Sequence, residues 1–397
     1  RIYWFFLAQT LIFGVLLSIG KEPGVWCPAV WANDQVHTQI LSAQEALYNG
    51  NFEDALQLFT SLTQAYPNDP KGYFFVALTY RWLTRIDPES SYYQKQFEQA
   101  SETAIRIAKS LLDKDDTHVE AILYLAATYG YRAEYYNFLK NRWDKAYDDG
   151  IKMREYLGKA EKFSLSDNID VQLGYGLYNY YAYVYRKKIG WWRFLLSLPK
   201  GDKEKGIELL QTVRKKGVYL KVEAWYFLID IYKKEEGDSM AKAISLCEQL
   251  HRTYPSHPYF HIFLAGLYHK HLDWKNSIRT ATEILEQSKT NPYYSSDFIV
   301  YQAKYLIGES SFYIGKYQEA LRQFDEIIGV NPSHPSYLVP WSHLRRGTIY
   351  DLTGKKDEAA VEYQLVLKME NVLHVHNLAE GLLKNQKNRQ SAGGSKQ

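Results

Sequence analysis

The strongest constraint in the sequence is a spacing. Small residues return about every 34 positions, each set among aromatic and aliphatic residues at fixed offsets. The clearest copy reads Leu306-Ile307-Gly308, Gly315-Lys316-Tyr317, Ala320, Phe324, Ile327 and Pro332. Gly308 and Ala320 are small where two helices must touch, and Tyr317 and Phe324 fill the space beside them. Gly315 permits the turn, and Pro332 stops the second helix. A period of this length is one helix–turn–helix unit that cannot bury its apolar face alone, so the units must stack. The expected class is all-α.

The offsets recur. Gly50, Phe52, Ala55, Phe59, Leu62 and Pro67 mark a first unit over roughly residues 36–69, and Gly347, Tyr350, Gly354, Ala359, Tyr363 and Val366 mark the last. Trp225, Leu228, Tyr232, Ala243, Leu250 and Pro255 form one intervening copy. Leu264, Ala265, Tyr268, Trp274, Ala281 and Ile284 form the next, with Ser277 at its small position. Weaker copies begin near Pro70, Val119 and Asn168, for about eight units, three of them degenerate. This pattern resembles the tetratricopeptide repeat family over residues 36–373. The stretch Leu173-Gly174-Tyr175-Gly176-Leu177-Tyr178-Asn179-Tyr180-Tyr181, with Leu198-Pro199, Gly201-Asp202 and Gly206, is similar to uncharacterised bacterial exported repeat proteins and, more faintly, to the Iml2-like tetratricopeptide family. The resemblance implies a right-handed superhelical solenoid of helix hairpins, with a concave groove lined by first helices. It implies no particular ligand.

Three copies depart from the period, all in the turn between their two helices. Residues 84–95, 133–142 and 184–202 are the inserted stretches, and stacking would place them on one edge as a ledge or as lengthened helices. The third contains Arg186, Lys187, Lys188, Trp191, Trp192, Arg193 and Phe194, the composition of a membrane or partner anchor. The same residues also suit burial between units.

Helical phase turns a defined set of side chains toward the concave side: Phe74, Arg81, Trp82, Tyr131, Tyr175, Tyr178, Asn179, Tyr226, Lys233, His269, Tyr305 and Phe312. Rings of mixed charge suit a protein or peptide partner, and secondarily glycan stacking. The expected function is a non-enzymatic interaction scaffold or assembly adaptor.

Other chemistry finds little support. The net charge of +3 is spread without a basic block, which argues against nucleic acid. Gly174-x-Gly176 lacks a third glycine at the dinucleotide spacing, and no phosphate loop occurs. His257, His261, His269 and His271 have neither cysteines nor paired carboxylates beside them, so no metal or other cofactor is expected. No nucleophile–histidine arrangement stands out, so no catalytic residue is assigned. Cys247 sits at an inward helical position, expected to be buried and inert.

The ends carry their own signals. Ile2 to Ile19 is an almost unbroken apolar run, followed by Val30-Trp31-Ala32 with small or aliphatic residues where a signal peptidase cuts. Residues 1–32 therefore read either as a cleaved signal peptide or as an N-terminal anchor with membrane contact. Either places the body outside the cytoplasm. The absence of any Asn-x-Ser/Thr sequon tilts this toward the periplasm or envelope of a bacterium. Residues 374–397 are polar with a Gly/Ser-bearing end, and are expected to form a disordered tail.

Overall fold

The computed structural model describes residues 34–163, 168–189, 201–235 and 237–394. Within them lie seventeen α-helices and no strand. They are α1 (Asp34–Tyr48), α2 (Phe52–Ala65), α3 (Pro70–Ile86), α4 (Ser91–Leu112), α5 (Val119–Phe138), α6 (Trp143–Lys162), α7 (Gln172–Ile189), α8 (Lys203–Lys216) and α9 (Lys221–Lys234). The remainder are α10 (Ser239–Thr253), α11 (Pro258–Lys270), α12 (Trp274–Gln287), α13 (Asp297–Tyr313), α14 (Tyr317–Val330), α15 (Leu338–Leu352), α16 (Lys356–Val366) and α17 (Val375–Gly394). Each of the first sixteen packs on its sequence neighbour, giving eight hairpins. The residues of the N-terminal apolar run lie outside the described part. No described helix is long and apolar enough to cross a membrane.

Local sequence sets the helix starts. Asp69, Ser90, Asp202, Asp273 and Ser296 each accept a backbone N–H two or three residues ahead, and Pro70 opens α3 where no N–H is needed. The small positions do what the period requires. A Cβ on Gly308 would lie 2.8 Å from Cε1 of Phe324, and one on Gly347 would lie 2.8 Å from Cε1 of Tyr363. Helix axes approach this closely only because nothing projects there.

The inserted stretches lengthen helices. α3, α4, α5 and α6 have 17, 22, 20 and 20 residues, against 14 each in α2, α12 and α14. The ends of the first two extended hairpins adjoin: Lys140 Nζ donates to Gln94, and the rings of Phe97 and Tyr135 lie 4.5 Å apart. Of the third insertion, residues up to Ile189 continue α7, and Trp191, Trp192, Arg193 and Phe194 lie outside the described residues.

The array also folds back on itself, so that the first two hairpins contact the fifth to seventh. Gln44 Nε2 donates to the carbonyl of Tyr219 at 2.6 Å, and Phe52 meets His257 edge-on at 5.4 Å. Ser296 Oγ donates to the carbonyl of Ile86 at 2.8 Å. Gly50 is required twice over at this seam. Its φ is +81°, and a Cβ there would meet the Ser256 carbonyl oxygen at 2.6 Å.

The C-terminal end corrects the tail expectation. From Val375 the chain forms α17, whose Val375 and Ala379 are fully buried against α15 and α16. Gln386 donates to Asp351 at 3.2 Å. A solenoid's last hairpin exposes an apolar face, and α17 covers it with a polar back turned to solvent.

Candidate partner-binding cleft

Of the positions named from helical phase, Phe74, Arg81, Trp82, Tyr131, Tyr226 and Tyr305 are buried, several of them against other hairpins of the chain. Trp82 is sealed from solvent, with Tyr226, His257 and Phe260 each at 5.2 Å. Its Nε1 donates to Glu223 Oε1 at 2.8 Å, and Tyr48 Oη donates to the same oxygen at 3.0 Å. Arg85 lies over the rings of Trp82 and Tyr226 at 4.3 and 4.5 Å. Arg81 donates twice to Glu134, at 2.6 and 2.8 Å, and Arg85 donates at 3.1 Å. Burial pushes Glu134 up, but the two guanidiniums outweigh it and hold the carboxyl below its ordinary range. Burial raises Glu223, against the pull of Arg85 and its hydrogen-bond donors. These groups are internal ties between turns of the superhelix, and the expectation of an open groove at Arg81, Trp82 and Tyr226 is corrected accordingly.

The remaining candidates divide. Tyr305 is buried with its hydroxyl on Glu309 at 3.0 Å. Lys233 pairs with Asp230 at 3.0 Å. Tyr175 donates to the Leu157 carbonyl at 2.8 Å, and Asn179 to the Tyr175 carbonyl at 2.9 Å. His269 shares a hydrogen bond with Ser310 at 3.2 Å, and Phe312 lies half-buried under Arg345 at 5.0 Å. Arg186 is half-buried in α7, with Lys187 and Lys188 following it in the last turn. Phe74, Tyr131 and Tyr178 converge on one feature that the groove reading did not contain.

That feature is a cleft of about 570 Å³ between the third and fourth hairpins. Its size falls among those of small-ligand and side-chain-binding pockets. Three helices form its walls. α5 contributes Leu123, Ala127, Tyr131 and Phe138; α6 contributes Trp143, Tyr147, Ile151 and Arg154; α7 contributes Leu173, Leu177 and Tyr178. Phe74 closes the inner side, its ring 5.4 Å from Tyr124 and 5.8 Å from Tyr131. Small residues explain the opening. Ala126, Ala127, Gly130 and Ala133 line it from α5, and Ala146 and Gly150 from α6. No atom lies within 4 Å of where a Gly150 Cβ would sit.

Phe138, Trp143, Tyr147 and Ile151 rim the cleft with relative exposures between 40 and 57%. Trp143, Tyr147 and Ile151 recur every fourth residue and so share one stripe of α6. α6 already buries a separate apolar set, Tyr156, Leu157 and Ala160, so the stripe exceeds what its own hairpin needs. That surplus was the available sequence signal for the site.

The polar groups in the lining are mostly committed. Glu120 pairs with Lys71 at 3.1 Å, and Glu134 with Arg81 and Arg85. Asp170 accepts the backbone N–H groups of Val218, Tyr219 and Leu220 at 3.0 to 3.3 Å, and burial still pushes its carboxyl up against the pull of these donors. Arg154 is exposed, its guanidinium 5.4 Å from the Tyr178 ring, and no carboxylate among the described residues pairs with it. The Tyr178 hydroxyl is buried without a hydrogen-bond partner among the described residues.

The histidines have structural roles. His257 caps α11 by accepting from Phe260 N and stacks on that ring at 3.9 Å. His261 stacks on His251 at 4.2 Å and shares a hydrogen bond with Tyr294. Cys247 is buried, which pushes its thiol up.

Comparison with curated protein sequences returns no match. Among solved structures, a human IFIT1 dimer with m7Gppp-AAAA is 13% identical, with 89% of this chain and 82% of that one covered and a TM-score of 0.46. Yeast Tom70 is 11% identical, with 90% of each chain covered and a TM-score of 0.39. The P58(IPK) TPR domain is 15% identical, covering 91% of this chain and 100% of that one, with a TM-score of 0.22. The family model described as tetratricopeptide repeat matches residues 40–81. That match spans the first hairpin and most of α3, and the described residues form eight consecutive helix hairpins, the arrangement of a tetratricopeptide-like helical solenoid.

Proposed function

We propose that this chain is a non-catalytic scaffold that captures a protein partner by taking an apolar segment of it into the cleft between α5, α6 and α7. Tetratricopeptide repeats support protein interaction in general. The observation that carries the specific reading is the exposed stripe Trp143, Tyr147 and Ile151, which continues into an apolar hollow. Exposed aromatics set beside a concave apolar floor mark interaction surfaces, because burying them releases water from both partners. The glycan reading would draw on the same ring faces. The hollow behind them offers sugar hydroxyls few uncommitted polar partners, so an apolar protein segment suits it better.

We place the scaffold at the cell envelope on the character of residues 1–32, which lie outside the described structure. Support for that placement comes from the sequence alone.

The test is a photo-crosslinking amino acid at position 147, introduced in the native host, with position 352 as an exposed control. A discrete adduct is expected at 147 only, protease-protected in intact cells, and lost when Gly150→Phe fills the hollow. An adduct that forms equally at both positions, or survives Gly150→Phe, rules out the cleft. An adduct found in the cytosol rules out the envelope placement alone.

A further inference from the structure

The cleft carries information about the chemistry of its ligand. Resting on the reading just given, we infer that the captured segment is an amphipathic helix bearing an Asp or Glu that pairs with Arg154.

Charge comes first. The carboxylates lining the cleft are each engaged, Glu120 by Lys71, Glu134 by Arg81 and Arg85, and Asp170 as the acceptor of three backbone N–H groups. Among the described residues Arg154 has no such partner, which leaves a cation at the edge of an apolar site. The Tyr178 hydroxyl lies in the same lining, buried and without a hydrogen-bond partner among the described residues. A guanidinium at the edge and an O–H donor in the lining behind it are complementary to a carboxylate.

Backbone chemistry decides the form. The walls are helices, whose main-chain groups are already paired, so an extended peptide would bury N–H and C=O groups with nothing to meet them. A helix brings its own hydrogen bonds. The spacing fits as well: Trp143, Tyr147, Ile151 and Arg154 stand at i, i+4, i+8 and i+11 on α6, a span of about 16 Å. A partner helix lying antiparallel beside this stripe would present an acid near its N-terminus, followed by apolar residues three, seven and eleven positions later. That end of a helix favours a negative charge, which adds to the match.

The probe is an end-capped, fluorescein-labelled helical peptide of Ala and Gln, with glutamate third and leucines sixth, tenth and fourteenth. Binding to the full chain is read by fluorescence anisotropy. The glutamate peptide is expected to bind about tenfold more tightly than its lysine counterpart, since reversal trades an attraction for a repulsion of similar size. Arg154→Glu should invert that preference, and Tyr178→Phe should weaken the glutamate peptide about threefold. Equal binding of the two peptides, both abolished by Gly150→Phe, would overturn the acid and leave the cleft standing. Failure of both peptides on the wild-type chain would overturn the cleft reading too. So would binding that appears only in a Trp191→Ala, Trp192→Ala chain, which would mean that the cleft's occupant is internal.

Discussion

The indole Nε1 of Trp82 donates to Glu223 at 2.8 Å, joining the second hairpin to the fifth across 141 positions, with both side chains sealed from solvent. Around this bond the first helices of five hairpins meet, through Tyr48, Trp82, Tyr131, Glu223, Tyr226 and His257. The curl of the array is therefore held by an aromatic core threaded with buried charge.

Trp82→Ala, which reads from the sequence as a probe of a ligand groove, is on this structure a probe of folding. It should cost about 3–5 kcal/mol in urea unfolding, because it leaves a ring-sized void and removes a donor from a buried carboxylate. Trp82→Phe keeps most of the packing and loses only the donor, so about 1–3 kcal/mol is expected. Wild-type stability in the alanine variant would mean that the N-terminal hairpins do not rest on this contact.

Acid should loosen the same junction. Burial, with Arg85 nearby, pulls the His257 imidazole down to about 3, against an unfolded value near 6.5. The unfolded chain therefore takes the proton first as pH falls, and stability is lost progressively below about pH 6.5. Asparagine at 257 retains a capping acceptor and cannot titrate. Between about pH 7.5 and about pH 5, His257→Asn should lose about 2 kcal/mol less than wild type. Glu223, whose carboxyl is raised by burial, acts with the opposite sign, losing stability as pH rises. It is common to both chains and drops out of the difference. Parallel pH profiles for the two chains would show that His257 is not held neutral.

How much of this was legible follows from how far apart the interacting residues lie. Gly308 against Phe324 is a contact within one period, and the repeat exposed it directly. The inward phase of Phe74, Trp82, Tyr131 and Tyr226 was also readable, since a helix fixes which residues share a face. What fills the concave side was not readable, because Ser296 on Ile86 or Gln44 on Tyr219 obeys no period. The three insertions were visible as extra length, while their helical state depended on neighbours such as Gln94 and Lys140. Trp143 reads from the period as the aromatic opening a second helix, and its stripe with Tyr147 and Ile151 was missed because the unit's motif assigns only one apolar face to that helix.

The C-terminal helix was hidden by composition, because Lys384 to Gln397 is polar enough to pass for a tail. Its anchoring residues come earlier, at Val375 and Ala379, both fully buried. Val375→Asp should therefore destabilise the last hairpin by about 3 kcal/mol or more, since it buries an unpaired carboxylate among aliphatic neighbours. Hydrogen exchange should report the loss in α15 and α16 before the rest of the array. Exchange rates there indistinguishable from wild type would show that α17 does not cap the solenoid.

Two glycines separate repeat geometry from helix propensity. Gly308 stands where α13 touches α14, and an added methyl would lie 2.8 Å from the Phe324 ring, closer than carbons approach. Gly266 lies within α11 with no atom inside 4 Å of its absent Cβ. Alanine favours the helix at both places by about 0.5–1 kcal/mol, through the entropy glycine loses on folding. At Gly266 nothing opposes that gain, so Gly266→Ala should raise stability. At Gly308 the ring must shift or the helices must part, an overpacking cost of about 1–3 kcal/mol that exceeds the propensity gain. Thermal unfolding of the two single variants should move in opposite directions. Both moving upward would mean that the small position of the repeat is a habit of sequence, with no close helix contact behind it.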